Sequence, residues 1–239
     1  MRHKNTKIHV ATLIFRIALL AYVLLLRFPI IDRFTYGEAF LWLLALNYDF
    51  FLWVVWAYLI FEMLFRLFPN KMIAIGARKH FSVSYNAAPE ATQNNDLRRD
   101  LHKGTALVFF SWLFITIGVL FWLHITGWLT PLTVIILMLG YAVMDIVFIL
   151  FFCPFKAWFM KNRCCTTCRI YNWDYLMMCA PLLAFPSFYT LSLFLMSLAV
   201  FLQWEISAYK NPHFFSHKTN ANLRCDTCDD GLCRLRSEA

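Results

Sequence analysis

Charge is scarce in this chain. Asp, Glu, Lys and Arg make up 15% of its 239 residues, against about 25% in soluble domains. That is too little to coat a soluble fold, whose buried interior holds only part of its apolar side chains. Glycine is also scarce, at 7 residues, under half of the average usage of about 7%. This excludes a collagen and a glycine-rich linker. The glycine-dependent motifs are missing too: Gly-x-Gly-x-x-Gly, the phosphate loop and Gly-x-Ser-x-Gly do not occur, nor does His-Glu-x-x-His. Dinucleotide, kinase, hydrolase and metalloprotease chemistry therefore have no support, and the reading leans away from an enzyme. No internal repeat is visible.

What the chain has instead is apolar bulk. Hydrophobic residues reach 61% and aromatics 18%, with 25 Phe, and the mean hydropathy is +0.58. Disordered chains and disulfide-stapled miniproteins are excluded by the same figures. The expected fold class is all-α, a polytopic transmembrane helix bundle, because apolar residues run continuously rather than alternating as in barrel strands. A spanning helix needs about 20 mostly apolar residues. Five stretches meet or approach that: Ile8 to Ile31, Leu46 to Leu67, Thr105 to Thr126, Leu132 to Phe152, and Tyr175 to Trp204. The first is expected to be retained, since Arg16 interrupts it and no small-residue cleavage site follows.

Local signals mark some boundaries. Gly127 followed by Thr130-Pro131 predicts a tight turn, then a capped helix with proline in its first position. Residues 69–103 form a polar loop that includes Pro89 and the run Gln93-Asn94-Asn95. Trp42, Trp122, Trp128, Trp158, Trp173, Trp204 and Tyr209 sit near helix ends, as in an aromatic belt.

The last tract, residues 175–209, has two readings. Thirty residues would make about 45 Å of helix, too long for one upright span, and Pro181 and Pro186 lie in its first half. It is either one kinked, tilted span or a hairpin, with a short helix from Tyr171 to Phe185 and a full one from Ser187 to Tyr209. Lys and Arg collect in cytoplasmic loops. The N-terminal tail holds Arg2, Lys4 and Lys7, and the first loop Arg33 with Arg27 at its edge, where it is expected to snorkel. The second loop holds Lys71, Arg78, Lys79, Arg98, Arg99 and Lys103, the turn at 127–131 none, and the fourth loop Lys156, Lys161, Arg163 and Arg169. Five more, Lys210, Lys218, Arg224, Arg234 and Arg236, follow in the tail. This alternation puts the N-terminus in the cytoplasm. A hairpin keeps the basic tail there as well, so six passes are preferred over five, in a plasma or inner membrane. The net charge of +8 suits anionic headgroups of the lipid bilayer and needs no nucleic acid.

Eight cysteines remain. Cys164, Cys165 and Cys168 cluster in the loop 153–174, and Cys225, Cys228 and Cys233 in the tail 210–239. Each cluster contains a Cys-x-x-Cys, and two such knuckles complete a tetrahedral metal site. The expected quartet is Cys165, Cys168, Cys225 and Cys228, with Cys164 and Cys233 as alternates and His213 or His217 as weaker substitutes. The spacing favours zinc over an iron–sulfur cluster, whose cysteine runs are denser. Arg163, Arg169, Arg224 and Arg234 flank the sulfurs and would offset thiolate charge, although inner-leaflet charge alone also accounts for them. Cytosolic thiols stay reduced, which disfavours a disulfide on that side. Cys179 reads as core filler and Cys153 as a packing cysteine. The site closes only if both knuckles share a face of the membrane.

Ionisable residues within a span are costly and mark candidate sites. Arg16 and Asp145 lie at matched depths, about 10–12 Å from the inner side at helical rise, and are expected to pair. Glu62 and Arg66 are expected to form a local i,i+4 ion pair. Asn47 and Asp49 belong at the outer edge. His9 and His102 share an inner level, but interfacial histidines explain them better than a haem. Three functions follow: a cytosolic cysteine-rich metal module with a structural or sensory role and a membrane or cytosolic protein partner; membrane electron transfer through an iron–sulfur cluster or redox-active thiols; or a small transporter of a metal ion or other solute, for which the polar path is thin.

Overall fold

The computed structural model describes residues 2–27, 38–68, 79–81, 85–88, 102, 104–160 and 168–224. It is all-helical among them, with no strand beyond an isolated bridge between Ala87 and Asn220. The helices are α1 (Arg2–Arg27), α2 (Glu38–Leu67), α3 (Thr105–Ile125), α4 (Pro131–Leu150), the short α5 (Asp174–Cys179) and α6 (Phe188–Lys210). Five of them, α1, α2, α3, α4 and α6, are long and apolar enough to cross a membrane.

Their packing is that of helices that face lipid. On α3 the residues Phe110, Phe114, Ile117 and Phe121 follow helical spacing along one side, and Phe114 is 81% exposed. The opposite side buries Val108, Trp112, Thr116 and Leu123. An apolar stripe of that size on an outer face would be an aggregation site in water and is ordinary against acyl chains. The core is built from α1, α2, α4, α5 and α6, through Leu19, Val23, Leu59, Met63, Met138, Leu139, Met178, Cys179 and Leu182. Cys179 is fully buried there, and Cys153 packs beside Ile146, Ile149 and Leu150.

The turn between α3 and α4 has the local causes read in the sequence. Gly127 has φ of 71°, a left-handed geometry that glycine adopts without a steric penalty. The Leu123 carbonyl accepts from the amides of Trp128 and Leu129 at 2.9 and 3.0 Å. Thr130 Oγ1 accepts from the Thr133 amide, and Pro131 opens the helix. Two boundaries differ from expectation. Helix α1 begins at Arg2 rather than Ile8, and α2 at Glu38 rather than Leu46. Hydropathy reports the length of chain that suits lipid, whereas the hydrogen-bonded helix continues past it.

The tract after α4 is broken into pieces. A π-helical turn spans Phe155–Met160, 3-10 turns span Tyr171–Trp173 and Ala180–Ala184 on either side of α5, and α6 starts behind a Ser187–Thr190 capping box. Contacts with α2 fix the direction of each piece. Arg66 bonds Asn172 and Asp174, while Trp53 packs on Tyr189 and the Trp56 indole donates to Ser192. Arg66 and Trp53 are thirteen residues apart on one helix, about 20 Å at 1.5 Å per residue. The segment Tyr171–Ala184 thus runs up the bundle against the direction of α2. Helix α6 then runs back down, and Gln203 Nε2 donates to the Leu67 carbonyl at 2.8 Å. The tract is a helical hairpin with its turn at Phe185–Ser187. Residue 169 and the tail after Lys210 lie at the same end of the bundle.

Candidate functional site

Two polar assemblies occupy that end. The first is a layer of charge inside the bundle, five residues from the ends of α2 and α4 at Glu62 and Asp145, and centred on Arg16 of α1. The Arg16 side chain is 2% exposed. Its Nη2 donates to Glu62 Oε2 at 2.9 Å, and its Nη1 donates to the Ala142 carbonyl at 2.7 Å and reaches Asp145 Oδ2 at 3.4 Å. Glu62 also accepts from the hydroxyls of Tyr58, at 2.7 Å, and Tyr175, at 2.8 Å. Arg16 and Asp145, matched by depth in the sequence, are therefore in one ionic group with Glu62 as the nearer carboxylate.

The expected Glu62–Arg66 pair is corrected. Glu62 faces across the bundle to Arg16, and Arg66 pairs with Asp174 at 2.8 Å while donating to Asn172 Oδ1 at 2.9 Å. The Arg66 guanidinium also lies over the rings of Tyr171 and Tyr175, 5.2 and 4.3 Å from their centroids. The i,i+4 rule describes an exposed helix surface. In a bundle each side chain seeks the partner that relieves its desolvation, and here those partners come from other helices.

The second assembly clasps the chain segments beside the two cysteine clusters. Arg169 makes a two-pronged pair with Glu205, at 2.8 and 2.7 Å. The Trp173 indole donates to the same carboxylate at 2.7 Å, and the Trp204 indole donates to the Arg169 carbonyl at 2.7 Å. Phe215, from the tail, lies over the Arg169 guanidinium and against Trp204 and His80. Asn220 ties the tail back, donating to the carbonyls of Lys79 and Phe214. Parts of the second loop, the fourth loop and the tail thus share one end of the bundle. Glu205, an acid at the end of an apolar tract, is the signal in the sequence for this clasp, and Trp173 and Trp204 serve it as hydrogen-bond donors rather than as members of an interfacial belt.

Of the expected metal ligands, Cys168 is described and is buried beside Arg169. Cys164, Cys165, Cys225, Cys228 and Cys233 lie outside the described residues. Among the described residues no group of three or more His, Cys, Asp or Glu is arranged to hold a metal ion. His217 is exposed, and partial burial pushes the His213 imidazole below its ordinary pKa, toward the neutral form. The tail is folded up to Arg224, which donates to the carbonyls of His217 and Lys218 and stands directly before Cys225. Of the two histidines matched by level, His102 is exposed and borders an open groove of about 540 Å³ with Glu205, Tyr209 and Lys210. His9 lies on α1, half-buried.

Comparison of the chain with protein-family models, with curated proteins and with solved structures gives no match, so the case for a function rests on this geometry: a membrane-type helical bundle with a charged layer inside one end and, at that same end, a clasp that joins the loop bearing one cysteine cluster to the tail bearing the other.

Proposed function

We propose that this is an integral membrane protein whose cytosolic end carries a four-cysteine metal site, with Cys165 and Cys168 from the fourth loop and Cys225 and Cys228 from the tail. Cys164 and Cys233 are the alternates. The metal is zinc, and its role is structural or sensory: it ties the tail to the bundle, and its loss releases the tail toward a membrane or cytosolic partner. The observation that carries the reading is the clasp at Arg169. Two knuckles 57 residues apart can share an ion only if their segments share a side, and Arg169, Glu205, Trp204 and Phe215 join those segments directly. A tetrathiolate zinc site carries a net charge of −2, which the flanking arginines Arg163, Arg224 and Arg234 would balance, the charge of Arg169 being taken up by Glu205.

The proposal includes six passes in a plasma or inner membrane, with both termini cytosolic. The support is the hairpin together with the charge pattern. The segment Tyr171–Ala184 reaches only about 25 Å at α and 3-10 rises, somewhat short of a hydrocarbon core of about 30 Å, and would be a short pass shielded by its neighbours. A reporter fused after Ala239 is expected to be active only on the cytosolic side. Activity only on the far side would rule the arrangement out.

Elemental analysis of the purified protein tests the metal. The expected result is zinc at about one ion per chain, lost in Cys168→Ser and Cys228→Ser. Absence of zinc and iron, with no loss on either substitution, overturns the site. Iron with visible absorbance that bleaches under dithionite would replace zinc by an iron–sulfur cluster on the same sulfurs and turn the function to electron transfer.

A further inference from the structure

The charged layer inside the bundle does not balance. Its carboxylates are Glu62, Asp145 and Asp174, and its guanidiniums are Arg16 and Arg66. Among the described residues the charges that act most strongly on Asp145 are those of Arg16, Arg66 and Glu62, and on Asp174 those of Arg66, Asp145 and Arg16. Fully ionised the layer carries one net negative charge in a region where an uncompensated charge is costly. The tyrosines that face it, Tyr58, Tyr171 and Tyr175, are neutral and add no cation. Among these five residues the carboxylates outnumber the guanidiniums by one.

Donor geometry says which carboxylate is the extra one. Glu62 accepts three bonds of 2.7–2.9 Å, from Arg16, Tyr58 and Tyr175. Asp174 has Arg66 at 2.8 Å and the Tyr175 amide at 2.9 Å. Both have the donors that an ionised carboxylate needs. Asp145 has one contact, from Arg16 Nη1 at 3.4 Å, and that nitrogen already donates to the Ala142 carbonyl at 2.7 Å. A good N–H···O bond spans about 2.7–3.2 Å, so Asp145 is the carboxyl left without charge-stabilising donors. Its side chain reaches the bundle surface, 18% exposed against 2% for Arg16.

We propose that this layer is a binding site for one exchangeable proton and that Asp145 holds it. One O–H bond forms on the Asp145 carboxylate and no bond within the protein breaks. The proton comes from the aqueous phase and returns to it. The site is independent of the cysteine clusters, and it gives the bundle a chemistry of its own: uptake and release of a proton within the span, next to a guanidinium that three helices share.

Infrared spectroscopy of the intact protein in lipid nanodiscs at neutral pH tests it, using aspartate labelled with ¹³C at the side-chain carboxyl. The expected result is a protonated-carboxyl C=O band that moves with aspartate labelling and in D₂O. It is lost in Asp145→Asn, and in Asp145→Glu, which keeps the charge count, a protonated-carboxyl band persists that no longer moves with the aspartate label. Absence of the band, or its survival in Asp145→Asn, overturns the proposal. Should Asp145→Asn fail to fold, Asp145→Glu decides: a band that no longer moves with the aspartate label supports Asp145, and one that still moves with it refutes the proposal.

Discussion

Replacing Arg16 by alanine will lower the stability of the folded bundle by about 3–5 kcal/mol, the cost of leaving a buried ionic partner alone. The expectation follows from how much one side chain holds. Arg16 joins α1 to α2 through Glu62 and to α4 through Asp145 and the Ala142 carbonyl. Its removal strands Glu62 with two tyrosine hydroxyls as its remaining donors and takes away the additional bond to the Ala142 carbonyl. Unfolding in detergent, followed by circular dichroism, measures the loss. Arg16→Met combined with Glu62→Gln and Asp145→Asn should recover most of it, because charges removed together need no partner. A double-mutant cycle should give stronger coupling of Arg16 to Glu62, at 2.9 Å, than to Asp145, at 3.4 Å. A loss below about 0.5 kcal/mol, the usual range of surface substitutions, would mean that the network is not formed.

Glu205→Ala should rank second, at about 2–3 kcal/mol. It leaves the Arg169 guanidinium buried without its two-pronged carboxylate and the Trp173 indole without an acceptor. Glu205 itself is 27% exposed, which softens the effect relative to Arg16. The distinguishing readout is local. The tail from 211 onward should become more sensitive to protease while the bundle core keeps its helicity, and Glu205→Gln, which can still accept from Trp173, should fall in between. If the tail's cleavage rate is unchanged in Glu205→Ala, the clasp does not hold the tail.

How much of this was legible depends on how local the cause is. The turn at Gly127 and the cap at Thr130-Pro131 could be read because a few neighbouring residues determine them. Arg16 and Asp145 could be read because a charge in an apolar run has few places to go, and equal depth narrows its partners. For Glu62 and Arg66 the sequence shows only the neighbour one turn away. Their actual partners, Arg16 and Asp174, arrive from segments 46 and 108 residues distant. Asp174 was the hardest to foresee: its level depends on the chain climbing back into the bundle after Tyr171, which hydropathy left as one of two alternatives. The Arg169–Glu205 clasp was hidden for the same reason, since it exists only in the hairpin.

The position of α5 has a bearing on how the protein is made. Tyr175, Met178, Cys179 and Leu182 fill the middle of the core between α4 and α6, yet the segment that carries them is short and interrupted by Pro181, with Asn172 and Asp174 at its start. Such a stretch has little drive to enter lipid by itself. The faces of α2 and α4 that pack on α5 and α6 are therefore expected to be covered only once α6 has emerged and drawn α5 in with it. A chain cut short before Lys210 is then expected to leave this apolar core uncovered, a state that quality control would recognise.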